Sequence, residues 1–166
     1  MQPEQVQFLT HYYLQGIENE AKATCKVVGA VPDDKSDYRP HPTSRSAREL
    51  AWHIVNSDVW FLNSIHGGSF SMEEEKIPQD IKTSSDMVNW YQKKLAEGIA
   101  KVRGMGAEQL ARPVDFFGVY NLPAGMYLGF LNNHSIHHRG QLSAYLRPMG
   151  AKVPNIYGGS ADEPMF

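Results

Sequence analysis

Apolar side chains recur every three or four positions along four stretches of the chain, the spacing that lines one face of an α-helix. The first stretch covers residues about 3 to 28, where Val6, Leu9, Tyr13, Ile17, Ala21, Thr24 and Val28 form a single stripe. Pro3 suits the first helical turn, and Gly29-Ala30-Val31-Pro32 ends the pattern. The second begins at Ser46, where Ser46-Ala47-Arg48-Glu49 spells a capping box, and runs to about Ile65 before Gly67-Gly68. Leu50, His53, Ile54, Ser57, Trp60 and Phe61 share one face of it, so His53 points inward. The third covers about 85 to 103, capped by Ser84 or Ser85, with Met87, Val88, Tyr91, Leu95, Ile99 and Val102 buried. The fourth runs from Leu122 or Pro123 to Arg147, closed by Pro148 and Gly150.

The connections carry turn chemistry. Residues 32 to 45 hold three prolines, and residues 68 to 83 are acidic and Ser- and Pro-containing. Within the latter, Glu73-Glu74-Glu75 reads as a solvated surface. Residues 107 to 112 read as one more helical turn, and Val114 to Asn121 as an extended connection or short hairpin packing its aromatics on the helices. Four long helices with short elements between them, and no repeat or internal boundary, predict one all-α helical-bundle domain over residues 1–166.

The fourth helix changes the picture from packing to chemistry. At about 100° per residue it places Tyr127, Phe130, Leu131, His134, His138, Gln141, Leu142 and Tyr145 on one face, with His138 near the centre and His137 toward the edge. Core-facing histidines are costly unless their nitrogens are satisfied. A metal ion satisfies one nitrogen of each ring and leaves the other for an outer acceptor. His134 and His138, four apart, together with His53 from the second helix, form a metal-ligand set; the alternative is three hydrogen-bonded core histidines. His11, His41 and His66 read as surface, loop and helix-terminal histidines.

Composition narrows the function classes. The chain has 166 residues, 42% hydrophobic and 20% charged, with a net charge of −2, so it offers no basic footprint for nucleic acid. The single cysteine, Cys25, excludes an internal disulfide framework and a cysteine zinc cluster. No apolar run reaches the roughly 18 residues of a membrane span, and no signal-peptide pattern opens the chain, so a cytoplasmic location without membrane partners is expected.

Three imidazoles around a divalent ion leave open positions for water or substrate, as in catalytic rather than closed structural sites. Imidazole suits zinc, nickel, iron and copper, so the ligands alone do not select the metal; zinc or nickel is the leading expectation, with iron or copper behind. There is no His-Glu-x-x-His motif and no identifiable carboxylate base, so the catalytic residues stay unassigned. Asn56, Ser57, Tyr127 and Gln141 are candidates to orient a substrate or water, with packing as the competing role. Two functions are open: a metal-dependent enzyme of thiol-transfer or hydrolytic type, and a non-catalytic stress-response or binding module with a structural or sensory metal.

Core-facing His53, the run His134-x-x-x-His138-Arg139-Gly140-Gln141-Leu142, then Leu146-Arg147-x-x-Gly150, and the ending Val153-Pro154-x-Ile156-Tyr157-Gly158-x-Ser160-Ala161-Asp162-Glu163 resemble the DinB-like superfamily. The resemblance spans nearly the whole chain. It implies a four-helix bundle with an unusual connection order, a three-histidine metal site at His53, His134 and His138, and often a homodimer. Related members are S-transferases and isomerases that use a low-molecular-weight thiol, bacillithiol or mycothiol, which implies a small-molecule substrate.

Overall fold

The structure, a computed structural model, describes residues 1–72 and 76–166, so the acidic run Glu73 to Glu75 lies outside the described residues. Four long helices are present among them: α1 (Pro3–Gly29), α2 (Ala47–Gly67), α3 (Ser84–Arg103) and α5 (Tyr127–Leu146). A short helix α4 (Ala107–Ala111) and a two-stranded hairpin, β1 (Pro113–Phe116) and β2 (Tyr120–Pro123), stand between α3 and α5. No helix among the described residues is long and apolar enough to cross a membrane.

The helix ends follow from local chemistry. At α2 the Glu49 amide donates to Ser46 Oγ (3.2 Å) while the Ser46 amide donates to the Glu49 carboxylate (2.8 Å), the reciprocal box written in the sequence. Gly68 closes α2 with φ of 76°, a conformation that favours glycine. The third helix starts differently from the sequence expectation. Its cap is Thr83, which accepts from the Asp86 amide (3.0 Å), because Asp86 lies three residues on and returns the bond to the Thr83 amide (2.8 Å).

Around the bundle, α1 packs on α3 and α5, and α2 packs on the same two helices. Helices α1 and α2, consecutive in sequence, therefore lie across a diagonal. The core between them includes Leu14, Val27, Ile54, Leu62, Leu95, Leu128, Leu131 and Leu142, all buried. Helix α2 is covered nearly all round, from Ala47 to Ile65.

The start of the last helix is a correction. Leu122 and Pro123, where the helical pattern begins in the sequence, instead end β2, which starts at Tyr120 within the expected hairpin, in register Val114↔Leu122 and Phe116↔Tyr120. Proline's fixed φ and missing N–H suit the end of an edge strand as well as a first helical turn, so Pro123 does not discriminate. A 3₁₀ turn over Ala124–Met126 follows, and α5 begins at Tyr127. That turn presses on α1: a Cβ at Gly125 would stand 2.2 Å from Thr10 Oγ1.

The buried stripe of α5 is also rotated from the expected one. It consists of Leu128, Leu131, Ser135, Arg139, Leu142 and Leu146, with Tyr127. His134 and His138, each about 100° round from Ser135 and Arg139, therefore flank the core instead of occupying its centre, and both are half-buried.

Candidate metal centre

Helices α2 and α5 bring His53, His134 and His138 together, each half-buried, with one potential ligand atom per ring all within 4.8 Å of one another. The ring centroids of His53 lie 4.8 Å from His134 and 4.6 Å from His138, and those of His134 and His138 are 4.4 Å apart. His134 Nε2 and His53 Nε2 approach to 3.1 Å, so one ring N–H donates to the other nitrogen. Two ligand nitrogens about 2.0–2.1 Å from one tetrahedral ion stand roughly 3.3 Å apart, so this pair already has a chelating separation.

The outer nitrogens decide how the rings are held. His138 Nδ1 lies 2.8 Å from Gln141 Oε1, and an amide oxygen can only accept. The proton is thereby placed on Nδ1 and the Nε2 lone pair is directed to the cluster. The same Gln141 donates its amide N–H to His137 Nε2 (3.0 Å); the exposed His137 ring lies 4.8 Å from that of His138 but is not one of the converging three. His134 Nδ1 is buried without a partner among the described residues. Burial, followed by the neighbouring His138 and His53 rings, pushes the His134 pKa down to about 3. His138 is also lowered, again chiefly by burial. Both rings are thus neutral at physiological pH, the form that binds a metal. This donor set fits a divalent transition metal.

The other sequence-selected residues are placed variously. Ser57 is buried and Asn56 half-buried on α2, while Gln141 is exposed and orients His138. Tyr127 is fully buried; its hydroxyl donates to the Val114 carbonyl (2.7 Å) and accepts from the Leu122 amide (3.2 Å), clamping the hairpin to α5. His11, His41 and His66 are exposed and outside the cluster. Cys25 is half-buried, and burial raises its thiol pKa, so it is not poised as a nucleophile.

Sequence reasoning missed a second polar assembly in the core. Asp58 Oδ2 accepts from the Tyr91 hydroxyl (2.6 Å) and the Ser135 hydroxyl (3.1 Å), and all three residues are buried. Burial lifts the Asp58 pKa to about 7, against the two hydroxyls and Arg139, which favour the charged form. One turn along α5, buried Arg139 donates to the Glu20 carboxylate and carbonyl, to Thr24 Oγ1 (3.3 Å) and to the Tyr157 hydroxyl of the C-terminal tail. A signal was available: Ile54, Asp58, Phe61 and Ile65 keep helical spacing, so Asp58 occupies a core position.

A mostly helical protein carrying a half-buried group of three histidines that could hold a metal ion is the class these observations define. The chain belongs to the DinB family, whose model matches residues 4–164. It is 29% identical over 154 residues to protein YrdA of Bacillus subtilis, covering 92% of this chain and 90% of that protein. It is 30% identical over 129 residues to YjoA of the same organism, covering 76% and 82%. The crystal structure of the DinB-like YjoA superposes with a TM-score of 0.70 at 27% identity, covering 89% of this chain and 96% of that one. That of a DinB-like protein from Bacillus cereus gives 0.73 at 26% identity, covering 87% and 95%.

Proposed function

We propose that this protein binds a divalent transition metal, zinc or nickel before iron or copper, through His53, His134 and His138, and acts on a small molecule there. The reading is carried by the convergence of three imidazoles from two helices into a group that, among the described residues, contains no fourth histidine, cysteine or carboxylate. Three ligands with open positions are the arrangement of catalytic sites. A metal held there acts as a Lewis acid and lowers the pKa of a water or thiol, which suits hydrolysis or transfer of a low-molecular-weight thiol.

The chain's own residues supply the rest. Gln141 fixes the tautomer of His138, and burial keeps His134 neutral, so protons compete weakly for the site. The thiol in such a transfer comes from a cofactor, because burial holds the Cys25 thiol above its ordinary pKa.

Elemental analysis of the purified protein and its variants tests the reading. The native chain and the His137→Ala chain are expected to retain about one metal per chain after dialysis, whereas His53→Ala, His134→Ala and His138→Ala each lose it. Stoichiometric metal in the His138→Ala chain would show the ligand set to be wrong. A fourth protein ligand and a closed, non-exchanging ion would favour a structural or sensory metal over an enzyme.

A further inference from the structure

The tip of the hairpin breaks a local rule. Phe117 has φ of 53° and Gly118 φ of 70° in the turn closed by the Val119 amide on the Phe116 carbonyl (3.0 Å). Tight turns with two positive φ values take Asn-Gly or Asp-Gly, and a bulky aromatic there is a backbone outlier. The ring gains little cover in return: Phe117 is 42% exposed and Tyr120 47% exposed. Strained positions of this kind concentrate at functional sites.

Ring contacts link the exposed rings to the histidines through buried Phe61 and half-buried Phe116. Phe61 lies 6.1 Å from the His134 ring and stacks on Phe116 at 6.3 Å and 5°. Phe116 in turn contacts Phe117 (5.0 Å) and Phe130 (6.2 Å), and Phe130 meets Tyr120 at 5.3 Å. Phe130 is half-buried and precedes His134 by four residues, one helical turn, about 6 Å along the same face. A single small molecule spans that distance.

We propose that Phe117, Tyr120 and Phe130 form the substrate-docking wall of the three-histidine site, and that its substrate carries a planar aromatic group that stacks there while its reacting atom lies at the histidines. The reacting end of this proposal rests on the metal-site reading; the wall does not. Stacked and edge-on ring contacts select flat π-systems over saturated rings of equal size. An asparagine at this position would suit the backbone better but would offer no ring.

The test uses metal-free protein titrated with 2-naphthol and with its saturated counterpart decahydro-2-naphthol, followed by amide NMR shifts. Expected are tighter binding of 2-naphthol by roughly tenfold and shifts centred on Phe117, Tyr120 and Phe130. Phe117→Asn is expected to weaken 2-naphthol by roughly three- to tenfold, with an unchanged or higher thermal midpoint and unchanged metal content. Equal binding of the two probes, indifference to Phe117→Asn, or shifts confined to another face would overturn the proposal. So would a native dimer that Phe117→Asn converts to monomers, which would make the tip a self-association surface. Metal lost from the native chain while 2-naphthol binding stays intact would count against the metal reading alone.

Discussion

Two polar assemblies sit on adjoining faces of α5 and solve opposite problems. His134 and His138 face α2 at the edge of the core, with His134 Nε2 directed at His53 Nε2 and with His134 Nδ1 unpartnered among the described residues. Ser135 and Arg139, the residues immediately following, face the interior and spend their hydrogen bonds on Asp58, Thr24, Glu20 and Tyr157. Each leaves one buried atom unpartnered among the described residues, His134 Nδ1 in the first and Asp58 Oδ1 in the second, but the first turns ring nitrogens toward a shared point while the second ties the four long helices together. The former is an arrangement that could hold an ion, the latter one that cross-links the helices, and a rotation of about 100° on one helix separates the two.

The largest effect expected from breaking this contrast is at Arg139. Arg139→Met leaves the Glu20 carboxylate and the Thr24 hydroxyl without their cation and should destabilise the fold by about 3 kcal/mol in urea denaturation, with metal content intact. A loss of metal without loss of stability would show that the two assemblies are one.

Their pH responses should carry opposite signs. His134 has its pKa lowered to about 3, so between that value and 6.5 the unfolded chain binds more protons and stability falls as pH falls. Asp58 has its pKa raised from 3.8 to about 7, so between those values the folded chain binds more protons and stability falls as pH rises. Each group contributes a slope of at most about 1.4 kcal/mol per pH unit, and the slopes oppose one another where the windows overlap. Stability of the metal-free protein measured between pH 4.5 and 6.5 should therefore fall more steeply on acidification in Asp58→Asn and less steeply in His134→Phe. Parallel curves for the three proteins would refute the assignment.

The smallest effect sharpens the comparison at its boundary. Gln141 is exposed and bridges the outer nitrogen of His138 to His137, so Gln141→Ala should weaken metal about tenfold in competition with a chromophoric chelator. Thermal stability should be nearly unchanged.

The helices were legible because their signals are local and redundant: Ser46 with Glu49 at one end, Gly68 at the other, apolar spacing between. The three histidines were legible because two share a helix face and the third is a polar intruder in an apolar stripe. The hairpin was harder, since Leu122 and Pro123 extend the helical pattern of α5 backward while their true partners lie at 113–114. The exact face of α5 was misjudged because Ser135 and Arg139 look like surface residues until their partners on other helices are known. Long-range partners such as Thr24 and Asp58 leave no trace in the spacing of α5 itself.

The order of connection around the bundle sets a timetable for the site. His53 and His134 are 81 residues apart, and α2 meets α5 only after α3, α4 and the hairpin have been laid down between them. Closing so long a loop is slow relative to forming any one helix. On the ribosome the second and third imidazoles emerge only after α1 to α4 and the hairpin have been made, so the trio cannot come together before α5 exists. A chain made only as far as the hairpin offers a passing ion one histidine from this group, so an ion held by all three would be taken up only once α5 has docked on α2.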